Sequence, residues 1–343
     1  MPGRHLHATS LLLLLGGLLL AACDRPPEAH QLSGSTMGTT WSVQFIASPG
    51  SETAGLRQDI EMALETVNAQ MSTYREDSDL SRFNRSDAGD RVELPADFAR
   101  VLETALELAE QTGGAYDPTV GPLVNLWGFG PDGPRREPPP ESDIEVARER
   151  VGWQKLDYEP DTGHLTQHGS IYLDFSSIAK GYGSDLMAEV LERRGISDYL
   201  VQIGGDMRVR GHRADGERWR IAVERPAEGE RSIHSVIQPG DQAMATSGSY
   251  RNFFRDRDKA FSHTIDPRTG YPIPEDLVSV TVLADSAKQA DALATAINVL
   301  GPDDGYAFAR QRELAVLLLI RDGDRLREQM TPAFAAYVAE GAD

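Results

Sequence analysis

The chain has a single cysteine, Cys23, among 343 residues. No internal disulfide can form, so the fold must be held by non-covalent interactions. A chain of this length can build one large core, or two smaller ones, without covalent staples. Cys23 closes the sequence Leu20-Ala21-Ala22-Cys23, behind Arg4 and an apolar run over residues 11–20 that only Gly16 and Gly17 interrupt. That run is about half the length needed to cross a bilayer. Residues 1–22 therefore read as a leader rather than a membrane span, and Asp24 to Gln31, with Pro26 and Pro27, as a polar tether.

The formal net charge is −19. Such a surface repels nucleic acid and anionic headgroups, which excludes nucleic acid as a partner. It also makes an anionic ligand costly to hold unless a cation or a helix N-terminus offsets the ligand's charge.

Hydrophobic spacing predicts a strand over 39–46 and a helix over 54–71 with Leu56, Ile60, Leu64, Val67 and Met71 on one face. Residues 74–84 read as a polar loop, and Pro95 opens a second helix that ends at Gly113-Gly114. The Pro- and Gly-rich 129–142 reads as a surface loop, followed by a short helix to Gly152. Two short strands flank Asp161-Thr162-Gly163, and 171–175 reads as a buried strand. A helix over 179–194, strands over 199–210, 219–223 and 232–236, a strand at 277–283 running into a helix over 284–300, and strands at 314–320 and 334–338 complete the pattern. Helices and strands mix without regular alternation or repeat. The fold class is α+β, with antiparallel sheets flanked by helices, rather than a doubly wound parallel sheet.

Several constellations could carry chemistry. Ser262-His263-Thr264-Ile265-Asp266-Pro267-Arg268-Thr269-Gly270 concentrates an imidazole, a carboxylate, a guanidinium and hydroxyls about one turn. His263 is the best candidate base, since imidazole ordinarily titrates near neutrality. Asp266 could orient it or replace it, and Arg268 could clamp a phosphate or simply brace the turn. Asp291 and Thr295, four apart on one helical face, offer oxygen ligands suited to Mg²⁺. Asp174 to Tyr182 carries a strand through small residues into a helix start with Lys180, a layout that can cradle phosphate. Gly204-Gly205-Asp206 permits close backbone approach to a ligand. Tyr74 and Trp127 are candidate stacking faces for a planar group.

Two resemblances follow from these residues. Leu20-Ala21-Ala22-Cys23 resembles the lipobox of bacterial lipoproteins, which implies cleavage before Cys23 and acylation of that residue; Asp24 resembles the inner-membrane retention signal of Gram-negative bacteria. The body, over about residues 33–325, resembles the ApbE family of FAD:protein FMN transferases. The matches run in order through Thr36-Met37-Gly38-Thr39, Met71-Ser72-Thr73-Tyr74-Arg75 with Ser81-Arg82-Phe83-Asn84, and Gly113 to Leu123. They continue through Leu126-Trp127-Gly128-Phe129, Leu173-Asp174, Ile178 to Tyr182, Gly204-Gly205-Asp206 and Ala245-Thr246-Ser247-Gly248. They end with Ser262-His263, Asp266 to Gly270 and Asp291 to Thr295.

The resemblance implies a T-fold-like domain over 33–330, preceded by a tether over 23–32 and followed by a C-terminal strand and tail over 331–343. It implies Mg²⁺-dependent transfer of the FMN half of FAD to a Thr or Ser hydroxyl, with AMP leaving. The implied acceptors resemble subunits of Na⁺-pumping NADH:quinone reductase (Nqr) and Rnf complexes. Asp291, Thr295 and the Ser177 carbonyl resemble the metal ligands. Tyr74 resembles the residue stacked on the isoalloxazine, and Met37, Asp117, Lys180, Asp206 and Thr269 resemble cofactor-pocket residues. His263, with Asp266 and Arg268, resembles the catalytic motif. Water in place of the protein acceptor would give a periplasmic FAD pyrophosphatase, and loss of turnover a flavin-binding lipoprotein; the residues alone leave these open. The expected location is the periplasmic face of the inner membrane, by lipid on Cys23.

Overall fold

A computed structural model describes residues 28–47, 51, 53–135, 137–226, 232–248, 253–256, 259–323 and 325–339. The expected leader, Cys23 and residues 24–27 of the tether lie outside the described residues. The chain begins with β1 (Glu28–Thr36), β2 (Thr39–Ala47), α1 (Leu56–Met71), α2 (Asp79–Asn84), β3 (Arg91–Glu93) and α3 (Ala96–Gln111). It continues through α4 (Gly121–Leu126), α5 (Glu141–Arg148), β4 (Leu156–Glu159), β5 (His164–Gln167), α6 (Ala179–Arg193), β6 (Tyr199–Ile203), β7 (Asp206–Arg210), β8 (Ile221–Arg225) and β9 (Ser232–Ile237). It closes with β10 (Ala243–Gly248), β11 (Phe253–Asp256), β12 (Lys259–Ser262), β13 (Leu277–Ala284), α7 (Ala287–Gln311), β14 (Ala315–Asp322), β15 (Arg325–Met330) and α8 (Pro332–Ala335).

One sheet of eight strands, in the order β1-β2-β6-β7-β10-β13-β14-β15, spans the molecule, with every neighbouring pair antiparallel. Its central strands are covered on both faces, so β13 is buried through seven of its eight residues, Ser279 and Thr281 included. Val280, Val282, Val316 and Leu318 meet α7 and α3 on one side. The alternate residues Leu283, Leu317 and Leu319 meet Trp219, Ile221, Val223 and Phe334 on the other. The period of two along each strand thus feeds two separate apolar layers. At the β2 end, Leu56, Ile60 and Leu64 of α1 pack with Met187, Ala188 and Leu191 of α6 over Val43 and Val201, as the helical spacing requires. The α+β class with antiparallel sheets is borne out.

Helix α6 and helix α7 cross at very close range. A Cβ on Gly181 would lie 2.2 Å from the Ala287 carbonyl oxygen, so only glycine fits there. The Asp185 carboxylate, one turn on, accepts the Ala287 and Lys288 amides at 2.8 and 2.9 Å and caps α7 from the neighbouring helix. Arg208 pairs with the same carboxylate at 3.2 Å. Ser286 caps α7 locally through the Gln289 amide. The helix predicted to end near 300 breaks at Gly301, whose left-handed φ of 82° precedes Pro302, and then resumes to Gln311.

Several expectations need correction. Residues 28–31 belong to β1 rather than to the tether. The loop expected over 74–84 contains α2, started by Ser78, whose hydroxyl accepts the Ser81 amide at 2.9 Å. Residues 171–175 are extended and largely buried but join no ladder. Their amides are met instead by side chains and a loop: Leu173 N–H by Asn84 Oδ1 at 2.7 Å, Ile171 N–H by Gln167, and Asp174 N–H by the Pro118 carbonyl. The strand expected over 334–338 is the one-turn helix α8, capped by Thr331, with Val338 making an isolated bridge to Ile237. Strands β10, β11, β12 and β15 have no counterpart in the sequence reading.

Gly181→Ala should lower stability by about 1–3 kcal/mol through overpacking against α7. Urea unfolding of the purified variant beside Gly183→Ala, whose Cβ would meet the movable ends of Ile203 and Met37 rather than backbone, measures this; equal losses would mean that the α6–α7 approach is not the tighter constraint.

Candidate active site

The start of α6, the Gly204-Gly205 turn into β7 and one face of α7 converge on a cavity of about 760 Å³. At its floor Lys180 Nζ stands 2.5 Å from Asp206 Oδ2 and 3.5 Å from Asp291 Oδ2. The side chains of Asp206 and Asp291 are only 5% and 8% exposed, against 33% for Lys180. Asp291 Oδ2 also accepts the Gly181 amide at 3.1 Å. Two buried carboxylates thus share one ammonium. Burial, then the charge of Asp206, push the Asp291 carboxyl up to about 7, against the opposing pull of Lys180. Burial alone would lower the Lys180 ammonium, but Asp206 and Asp291 outweigh it and hold it above its ordinary value. Thr295 lines the same cavity one turn along α7.

Tyr74 borders the cavity and is 69% exposed, an aromatic face without a protein cover. Ser177 lies at the entry to α6, its hydroxyl 3.1 Å from the buried Tyr116 hydroxyl. Burial pushes the Tyr116 phenol well up, so it remains neutral. Asp117 also lines the cavity, but Oδ1 accepts from the Thr119 amide and hydroxyl at 2.8 and 2.6 Å and Oδ2 from the Trp153 amide at 3.1 Å. Its carboxylate, raised by burial, chiefly braces the loop before α4. His263 lines the cavity edge-on to Phe129, ring centroids 6.3 Å apart.

The remaining predicted site residues lie off the cavity lining. Asp266 is 9% exposed and binds Arg268 with both oxygens, each at 2.9 Å, while Oδ1 also accepts the Arg268 amide. Of the two roles open to Arg268, the brace is seen here, its guanidinium paired with both Asp266 oxygens. Thr269 closes the same turn, its hydroxyl accepting the Tyr271 amide. Trp127 is no stacking face: it is buried, and its indole N–H holds the Gly270 carbonyl at 2.8 Å. This turn supports the strand end that presents His263. Met37 sits in the β1–β2 turn with a left-handed φ of 48° and packs under the cavity wall with Leu64 and Gly183. The sequence reading assigned no role to Asp174, Tyr116, Ser247 or Asp185. The first three line the cavity and stand in the quoted motifs; Asp185 left no local signal because the α7 amides it caps are about 100 residues away.

A family model for the ApbE family matches residues 37–318. The chain belongs to the ApbE family. It is 42% identical over 332 residues to the FAD:protein FMN transferase of Vibrio cholerae, covering 96% of this chain and 99% of that one. With the Haemophilus influenzae protein of the same name it shares 44% over 326 residues, 92% and 94% of the two chains. The solved flavin transferase ApbE from Vibrio cholerae superposes with a TM-score of 0.84 at 41% identity, covering 91% of this chain and all of that one. The apo flavinyl transferase ApbE of Pseudomonas stutzeri gives 0.85 at 36% identity over 92% and 98%.

In this ApbE chain the donor set can be weighed against a divalent ion. Among the described residues no three His, Cys, Asp or Glu side chains are arranged to hold a metal by themselves. Mg²⁺ rarely needs such a cage, taking one or two carboxylates and completing its shell with water and substrate phosphates. Asp291, Thr295 and Ser177 present hard oxygens to one cavity, and the Asp291 carboxyl, raised by burial and then by Asp206, shares its one neighbouring ammonium with Asp206. The residues fit Mg²⁺.

Without metal, the folded chain holds the Asp291 proton up to about pH 7, while the unfolded chain releases it near 3.8. The stabilising effect of that proton is full below the lower value and is lost as pH rises toward 7. Asp291→Asn keeps a neutral group throughout. Relative to the parent in chelator, its stability should rise by on the order of 1–2 kcal/mol between pH 5 and 8; a pH-independent difference in denaturant midpoints would refute the buried-charge account.

Proposed function

We propose that this chain transfers the FMN half of FAD to a threonine or serine hydroxyl of a partner protein, releasing AMP, and that it requires Mg²⁺. The observation that carries this reading is the floor cluster Lys180–Asp206–Asp291 in a cavity that also holds the exposed ring of Tyr74 and the imidazole of His263. The names of the relatives support the same reaction.

The exposed Tyr74 face would stack the isoalloxazine. Asp291 and Thr295, with the Ser177 carbonyl, would hold Mg²⁺, which when bound offsets charge on the diphosphate and on the leaving phosphate. Lys180 supplies a fixed cation at the same floor. The acceptor hydroxyl attacks the FMN phosphorus; a new P–O bond forms as the diphosphate bridge breaks, and its electron pair departs on AMP. His263 takes the hydroxyl proton. The Asp266–Arg268 pair holds the turn that follows His263 and takes no proton.

Acceptor subunits of the Nqr and Rnf kind, and attachment to the periplasmic face of the inner membrane through lipid on Cys23, complete the proposal. They rest on the leader pattern and the family resemblance.

Incubation with FAD, Mg²⁺ and an acceptor peptide should add the mass of an FMN phosphoester to the peptide. Free FMN and AMP without peptide gain would assign the site to hydrolysis instead. Asp291→Ala should cost roughly 100-fold or more in transfer, and Thr295→Ala about tenfold, because a charged ligand outweighs a neutral one. Cys23→Ser should move the protein from the membrane pellet to the soluble periplasmic fraction; retention in the pellet would reject the lipid anchor.

A further inference from the structure

Asn298 lies on α7, one turn beyond Thr295 and on nearly the same face. It is 1% exposed, and its Nδ2 donates to Ser247 Oγ at 3.2 Å. Its Oδ1 is buried without a partner among the described residues. A buried amide left half-satisfied costs free energy that a plain apolar residue would avoid. Ser247 stands near the end of β10, where pairing with Val280 fixes its backbone, and it lines the cavity. The Asn298 bond occupies a lone pair of the Ser247 hydroxyl. Among the described residues nothing accepts the hydroxyl proton. The Ser247 O–H is therefore left to donate to an acceptor in the cavity.

We infer that Ser247 is a ligand-binding residue that donates a hydrogen bond to an acceptor atom of the flavin nucleotide, and that Asn298 is its positioning residue. The inference rests on the flavin-site reading above and deepens it. The acceptor is a carbonyl oxygen or ring nitrogen of the flavin, or an oxygen of the diphosphate. A neutral donor fits either and adds no charge to a floor already occupied by Lys180, Asp206 and Asp291.

The test is equilibrium binding of FAD, riboflavin and ADP to the full chain, followed by flavin fluorescence or calorimetry, with the thermal midpoint recorded for each variant. Ser247→Ala should weaken FAD about five- to tenfold, the range of one neutral hydrogen bond, while Ser247→Thr, which keeps the hydroxyl, stays within twofold of the parent. Asn298→Ala should give a similar loss, and the double variant no more than either single one, since both remove the same bond. A loss shared by riboflavin supports a flavin acceptor atom, and one shared by ADP supports a diphosphate oxygen. Undiminished FAD binding by Ser247→Ala, or losses that add in the double variant, overturns the inference. Should Asn298→Ala fail to fold, the Ser247→Ala and Ser247→Thr comparison decides alone. If the parent binds no FAD, the flavin-site reading itself fails; if the parent binds and Ser247→Ala binds equally well, only this inference does.

Discussion

Two buried carboxylates set against one lysine is the constraint around which the site is built. Asp206 and Asp291 are each nearly excluded from water, and an isolated buried carboxylate is costly. One ammonium cannot satisfy both as separate pairs would. Lys180 sits closer to Asp206, and Asp291 is left with a longer contact and a backbone amide. Burial first, and the charge of Asp206 second, raise its carboxyl toward neutrality. In the proposed reaction a bound cation would meet this surplus charge.

The cluster can exist only because α6 and α7 nearly touch. Gly181 permits the approach, its amide reaches Asp291, and Asp185 binds the first amides of α7 from across the crossing. A carboxylate at a helix N-terminus also meets the positive end of the helix dipole. Asp185 therefore fixes the rotation of α7 about its own axis and with it the direction in which Asp291, Thr295 and Asn298 face. The acid that orients the site is not in the site, and it was invisible in sequence because Asp185 and Ala287 are linked by a helix crossing rather than by spacing.

Much of the scaffold was legible for the opposite reason. Helix α1 announced itself through Leu56, Ile60, Leu64 and Val67 at helical spacing, and β13 through its apolar residues, broken only by Ser279 and Thr281, because local patterning reflects what is buried. The reading failed where pairing replaced patterning. Strand β15, with Arg325, Arg327 and Glu328, is polar because it is an edge, and polar edges look like loops. Residues 171–175 looked like a strand because they are buried, yet side chains rather than a neighbouring strand meet their amides. Among the site residues, Lys180, Asp206, Asp291, Thr295, Ser177, Tyr74, Asp117 and His263 do reach one cavity. Asp266, Arg268 and Thr269 do not, since in a tight turn the shortest partner for a carboxylate is the guanidinium two residues on.

The division of labour between the two ends of the cavity follows from solvation. At the floor, charges are buried, so each is expensive, few in number and tied to the helix crossing. At the mouth, Tyr74 is exposed and can gain apolar contact without desolvating any charge. An acidic protein that is to hold a dinucleotide must pair the anionic part with a cation and leave the planar part to an aromatic surface. The reverse order, phosphates at the mouth and flavin on the floor, would press an apolar ring against Asp206 and Asp291 while exposing the diphosphate to a surface of like sign. The orientation of ligand in the proposed reaction is thus set by the cost of burying charge, before any specific contact is made.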